Sequence, residues 1–164
     1  MTIDACRRDI LYRRGQKKIY LAGYNQKIHD FLKCCVVSPN LCSLEESDLI
    51  FNELINPYYL QEKREVKQPI DKLKDTLVTC KNKYSNLPFY IFIDSDWKYC
   101  GAFLLPSLYS VNENIKFCSF VKNDIYCISP QKILLHWDYW EYGNHRYFDF
   151  DEKKYLAPDI ANEK

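Results

Sequence analysis

Asp94 and Asp96, in Asp94-Ser95-Asp96, directly follow the apolar run Phe89 to Ile93. Two carboxylates at the end of a buried strand can hold Mg²⁺ through hard oxygen ligands and serve phosphoryl or glycosyl transfer as nucleophile and acid. The same three residues are also turn formers, whose Asp and Ser side chains bond their own backbone. Three histidines, His29, His136 and His145, stand far apart among eight cysteines. A thiol–imidazole hydrolase would need one of each brought together with a third, orienting group, and nothing local assembles them. Four zinc ligands must converge on one ion, and no Cys-x-x-Cys or closely spaced Cys and His supplies them. With four glycines there is no Gly-x-x-x-x-Gly-Lys, Gly-x-Gly-x-x-Gly or Gly-x-Ser-x-Gly loop. The residue inventory therefore predicts no enzyme, no cofactor and no metal.

Two other constellations bear on binding. Arg7, Arg8, Arg13, Arg14, Lys17 and Lys18 interleave with Tyr12 and Tyr20, a pattern that phosphates and stacked bases would reward. It is equally the pattern of a solvated face, and the net charge of +1 lacks the strong basic excess of most nucleic-acid binders. Near the other end, Asp138, Tyr139, Trp140, Glu141, Tyr142, Tyr147, Asp149 and Asp151 mix carboxylates with rings. Rings bury much area at little entropy cost and acids steer a cationic partner, so these eight residues are the candidate protein-binding site. An ordinary hairpin with core rings and solvated acids would read the same way. The asymmetry runs through the chain: residues 1–35 hold eight Lys/Arg against three acids, and residues 136–164 hold four against seven.

The elements that must position these groups follow from periodicity. A chain of 164 residues with 47% apolar content predicts a single folded domain, residues 1–164, with ends at 1–8 and 157–164 that fray. No apolar run nears the roughly 20 residues that cross a bilayer, and no signal-like start is visible, so a cytoplasmic location with no membrane partner is expected. The irregularly spaced cysteines read as thiols. Residues 9–22, two β-rich runs about Gly15, predict a hairpin, with a helix as the competing reading. Asn25 to Cys35 predicts a short helix stopped by Ser38-Pro39. Ser43-Leu-Glu-Glu46 is a capping box that opens a helix ending near Asn56-Pro57. Pro69 sits at the first turn of a third helix, carried by Ile70, Leu73, Leu77 and Val78. Short β-rich runs at 89–94, 99–105, 115–121, 124–128, 132–140 and 146–150 follow, with connections too short for crossover helices. The fold class is α+β: about three helices in the first half packed on a mainly antiparallel β-meander over residues 87–150, which the N-terminal hairpin would extend.

In general character, anchored in Phe89-Tyr-Ile-Phe-Ile-Asp-Ser-Asp-Trp-Lys-Tyr-Cys-Gly101 and in Asp138 to Asp151, the chain resembles the immunity proteins of bacterial contact-dependent inhibition and related polymorphic toxin systems. The resemblance implies stoichiometric inhibition of a cognate protein toxin, most often a nuclease, whose cationic cleft an acidic surface fills in place of phosphate. The Asp94-Ser-Asp96 motif is also similar to that of haloacid-dehalogenase-like phosphatases, although Lys98 stands where that family places Thr.

Overall fold

The computed structural model describes residues 3–33, 40–54, 59–116 and 124–155, with side chains placed for most of them. The fold is α+β: helices of the first half pack on a six-stranded, wholly antiparallel sheet. Its order is β1(Tyr59–Pro69), β6(His145–Tyr155), β5(Ile133–Tyr142), β4(Asp124–Ser129), β2(Phe89–Ile93), β3(Phe103–Leu105). β4, β5 and β6 form the expected meander, while β2 pairs with both β3 and β4.

The largest difference from the sequence reading is at the start. Residues 9–22 are not a hairpin and residues 3–8 are not frayed: α1 is one helix, Ile3–Phe31, of 29 residues. Gly15 costs a helix interior only about 1 kcal/mol, and its Arg, Lys, Gln and Leu neighbours are good helix formers. Ile10, Arg13, Lys17, Leu21, Tyr24, Ile28 and Phe31 recur every three to four residues and form its covered side. Tyr20 stacks flat on Tyr99, with ring centroids 4.1 Å apart. α2(Leu44–Leu54) begins as expected, with the Glu46 amide donating to Ser43 Oγ at 3.1 Å. α3(Leu73–Tyr84) follows a 3-10 turn at Ile70–Lys72 that Pro69 caps in extended conformation.

β1, for which the sequence carries no alternating apolar pattern, is the edge strand beside β6. Its run Glu-Lys-Arg-Glu-Val-Lys-Gln is the charged composition that keeps an exposed edge from pairing with another chain. The expected strand at 99–105 is instead α4(Trp97–Cys100), then Gly101, then β3. The run at 115–121 falls mostly outside the described residues, as do Cys34, Cys35, Cys118 and 157–164.

One core lies between the sheet's inner face and α3, with the last turn of α1 at its end. Phe89, Ile91, Ile93, Cys127, Leu135, Trp137, Phe148 and Phe150 are each 2% exposed or less. Phe31, Leu77, Cys80, Leu108, Val111, Cys127 and Trp137 meet around one small internal space. The buried Glu152 anchors α3 by accepting from both Lys83 Nζ and Tyr84 Oη. Burial works against its charge, but those donors prevail and hold its pKa below the usual carboxylate value.

Gly101 has φ +91°, and a Cβ there would overlap the Cys42 carbonyl oxygen. Side chains rarely adopt that backbone conformation. Gly101→Ala is therefore expected to cost at least about 2 kcal/mol, from the strained φ and the clash together. Urea denaturation would check it, and an unchanged midpoint would show that the loop relaxes without cost.

Candidate functional site

Strand alternation divides the candidate residues. Along β5, Ile133, Leu135, Trp137 and Tyr139 face the core, and His136, Asp138 and Trp140 face outward. Pairing with β4 and β6 then collects Asp124, Tyr126, Tyr147, Asp149 and Asp151 onto the same outer face. Five of the eight candidates share it: Asp138, Trp140, Tyr147, Asp149 and Asp151. Tyr139 does not, because it is only 7% exposed on the core side, where its hydroxyl donates to Glu141. Glu141 and Tyr142 stand at the tip of the β5–β6 hairpin, with Arg146 Nε 3.5 Å from Glu141 and the Tyr142 ring 75% exposed. That hairpin closes through Gly143, whose φ of +60° suits the first central residue of a two-residue turn.

Half of the outer face is covered. Phe51 of α2 packs on Phe92, Trp97 and Tyr126, with ring centroids 4.5–5.4 Å away. Beyond Tyr126 no described element packs over the sheet. Here Asp124 stands directly across from Asp138, and Asp138 directly across from Asp149. Directly opposed residues on antiparallel strands have Cα atoms about 4.5–5.5 Å apart, and like charges so placed repel. His136 stacks on Tyr126 at 4.0 Å, with Nε2 2.8 Å from Asp124 and Nδ1 3.9 Å from Asp151. Asp151 is also approached by Arg64 at 3.7 Å. Asp149 accepts from the Lys67 amide at 2.7 Å and from Trp140 Nε1 at 3.2 Å. Trp140 stacks on Tyr147, whose ring carries Lys67 Nζ 5.4 Å from its centroid.

Among the described residues, none forms a hydrogen bond or ion pair with the Asp138 carboxylate. Its pKa lies above the ordinary carboxylate value because burial disfavours the charge and Asp124 and Asp149 repel it, with His136 opposing. The middle of the row is an acid that the chain's own described groups leave uncompensated. His136 joins this face by the alternation of β5 itself, whereas Asp124 and Tyr126 carry no local signal, since only β4 pairing brings them in.

The other two constellations are engaged internally. Lys27 Nζ reaches Asp94 Oδ2 at 2.5 Å and Asp96 Oδ2 at 2.8 Å, so an ammonium holds the position a cation would take between them. Burial opposes the Lys27 charge, yet the two aspartates together raise its pKa. Among the described residues, no group of three or more His, Cys, Asp and Glu is placed to hold a metal ion. Arg13 is bound by Asp48, by Asp9 at 2.9 Å and by the Lys98 carbonyl at 3.0 Å, and Arg14 pairs with Glu45. Arg7, Arg8 and Lys18 remain on the exposed side of α1. No described helix is long and apolar enough to cross a membrane. Comparison with protein-family models, curated proteins and solved structures found no match.

Two outcomes follow. Lys27→Met would remove the ammonium that meets the Asp94 carboxylate, 2% exposed, at an expected cost of about 3–5 kcal/mol for a broken buried pair. Chemical denaturation measures it, and Lys27→Met with Asp94→Asn should recover part of the loss. Asp138→Asn should do the reverse. A carboxyl whose pKa is higher folded than unfolded destabilises the fold above both pKa values and has no effect below both, so stability falls as pH rises between them. Asparagine removes that cost: at pH 7 and low salt the variant should gain up to about 1 kcal/mol, typical of opposed cross-strand charges. The gain should shrink at high salt and near pH 3. Loss of stability at pH 7 would mean that Asp138 has a stabilising partner.

Proposed function

We propose that this chain is an immunity protein: a cytoplasmic, stoichiometric inhibitor that covers the cationic substrate cleft of a cognate toxin domain of nuclease type. The single observation that carries the reading is the aligned row Asp124, Asp138 and Asp149 beside the stacked rings of Trp140 and Tyr147. Three carboxylates held on rigid strands present negative charge at regular spacing, as a phosphate backbone does. A partner's lysines and arginines would relieve the repulsion within the row, so binding energy comes from relief as well as new contacts. The rings beside it offer rigid, amphipathic area for the centre of an interface. Glu141 and Tyr142 at the hairpin tip extend that surface, and the inhibitor needs no catalytic group, cofactor or metal of its own.

Two other readings have less support. A Mg²⁺-dependent hydrolase or transferase using Asp94 and Asp96 must first displace Lys27. A nucleic-acid-binding surface at residues 7–18 must work without Arg13 and Arg14, which are tied to α2.

The test is titration calorimetry against the toxin domain encoded beside this protein's gene. Equimolar binding is expected, weakening steeply with salt. Asp138→Lys and Trp140→Ala should each weaken it at least about tenfold, the size of an interface hot spot. Lys74→Ala, on the exposed side of α3, should leave it unchanged. If the adjoining genes encode no protein that binds, or if neither site variant alters affinity, the proposal is wrong.

A further inference from the structure

The exposed side of α1 is apolar along its middle. Leu11 is 56% exposed, Tyr12 61% and Ile19 71%, on a helix whose other side is already packed. Gly15 lies between them and Ala22 and Gly23 just after Ile19, all exposed. A Cβ added at Gly15 or Gly23 would meet nothing within 4 Å, so the chain's own packing gives no reason for glycine. Each glycine in a helix interior costs about 0.5–1 kcal/mol relative to alanine.

Leu11, Gly15, Ile19 and Gly23 form one ridge four residues apart, large and small in alternation. An antiparallel second copy of α1 fits it. Setting Gly15 of one copy level with Ile19 of the other also sets Leu11 level with Gly23 and Tyr12 level with Ala22, because opposed positions advance in opposite directions. Every large residue then meets a small one, twice over by symmetry, as a two-fold interface requires. The charges agree. Arg8 Nε donates to the Asp4 carbonyl at 3.2 Å, so its guanidinium lies over the preceding turn. In this register that turn is level with the second copy's Asp30, an acid that accepts from Gln26 at 2.9 Å and has His29 3.5 Å away. The basic half of each helix thus lies against the near-neutral half of the other, whereas parallel pairing would set Arg7, Arg8, Arg14 and Lys18 against their own copies.

We propose that this protein forms a two-fold homodimer through antiparallel packing of α1, with Gly15 and Gly23 as the points of closest approach. The interface shares no residue with the Asp124–Asp138–Asp149 row, so it does not depend on the inhibitor reading.

Sedimentation velocity over micromolar concentrations tests this on the full chain. A dimer is expected. Gly15→Leu and Ile19→Glu should each raise its dissociation constant at least about a hundredfold, by filling a hole and by placing a charge in the seam. Both substitutions are at exposed positions, and leucine favours helix over glycine, so circular dichroism and thermal unfolding should show intact folds. Arg8→Glu should weaken the dimer, and Arg8→Glu with Asp30→Arg should restore it. A monomer at every concentration, including one that pairs only with a foreign helix, overturns the proposal. So does a dimer indifferent to both Gly15→Leu and Ile19→Glu.

Discussion

A six-stranded sheet has two faces to shield from water, and here the cover of the outer one depends on Phe51. That ring, carried by α2, meets Phe92, Trp97 and Tyr126 and closes the outer face over β2 and β4. Placing it requires the Ser43 cap that starts α2 and the Arg13–Asp48 and Arg14–Glu45 pairs that tie α2 to α1. It also requires Gly101, whose close approach to Cys42 brings the chain ahead of α2 against the short β3 edge. Beyond the reach of α2 the outer face changes character across β4, from the rings of Tyr90 and Phe92 on β2 to the half-buried Asp138 and Trp140 on β5.

The composition of that open half is unusual for a merely solvated face. Solvated sheet faces normally alternate charges of opposite sign across strands, since each such pair adds a few tenths of a kcal/mol or more. This one aligns three aspartates and admits one imidazole between two of the four carboxylates present. Stability is surrendered where ordinary packing would gain it, and such local inconsistency concentrates at surfaces kept for another purpose.

How much of this was legible in the sequence follows from how local each signal is. α2 and α3 were readable because capping box, proline and apolar period lie within a dozen residues. The buried run at 89–93 was readable for the same reason. Of α1 only the end, from Asn25, was readable as helix, because the exposed face of the rest carries Leu11, Tyr12 and Ile19 and blurs the apolar period. β1 was not, because an edge strand is selected for charge and finds its partner, β6, some 80 positions away. The candidate site was half legible. Period-two alternation already sets His136, Asp138 and Trp140 apart from Tyr139, but only strand register reveals that Asp124 and Tyr126 join them.

The charge asymmetry along the chain has a different origin from the one it suggests. The basic residues of the helices are first of all partners of acids within the chain: Lys27 with Asp94 and Asp96 in the turn after β2, Arg13 with Asp48 of α2, Lys81 with Glu113, Lys83 with Glu152 of β6. Lys81 and Lys33 together draw Glu113 down to a pKa of about 2, which shows how fully these ties are made. These charges are therefore engaged in fixing helices to one another, to the turns beside them and, through Lys83 and Glu152, to the sheet. Among the described residues, the aspartate row on the outer face and the arginines at the start of α1 stand outside those ties. It is such local groups, and not the overall polarity of the chain, that speak for an external partner.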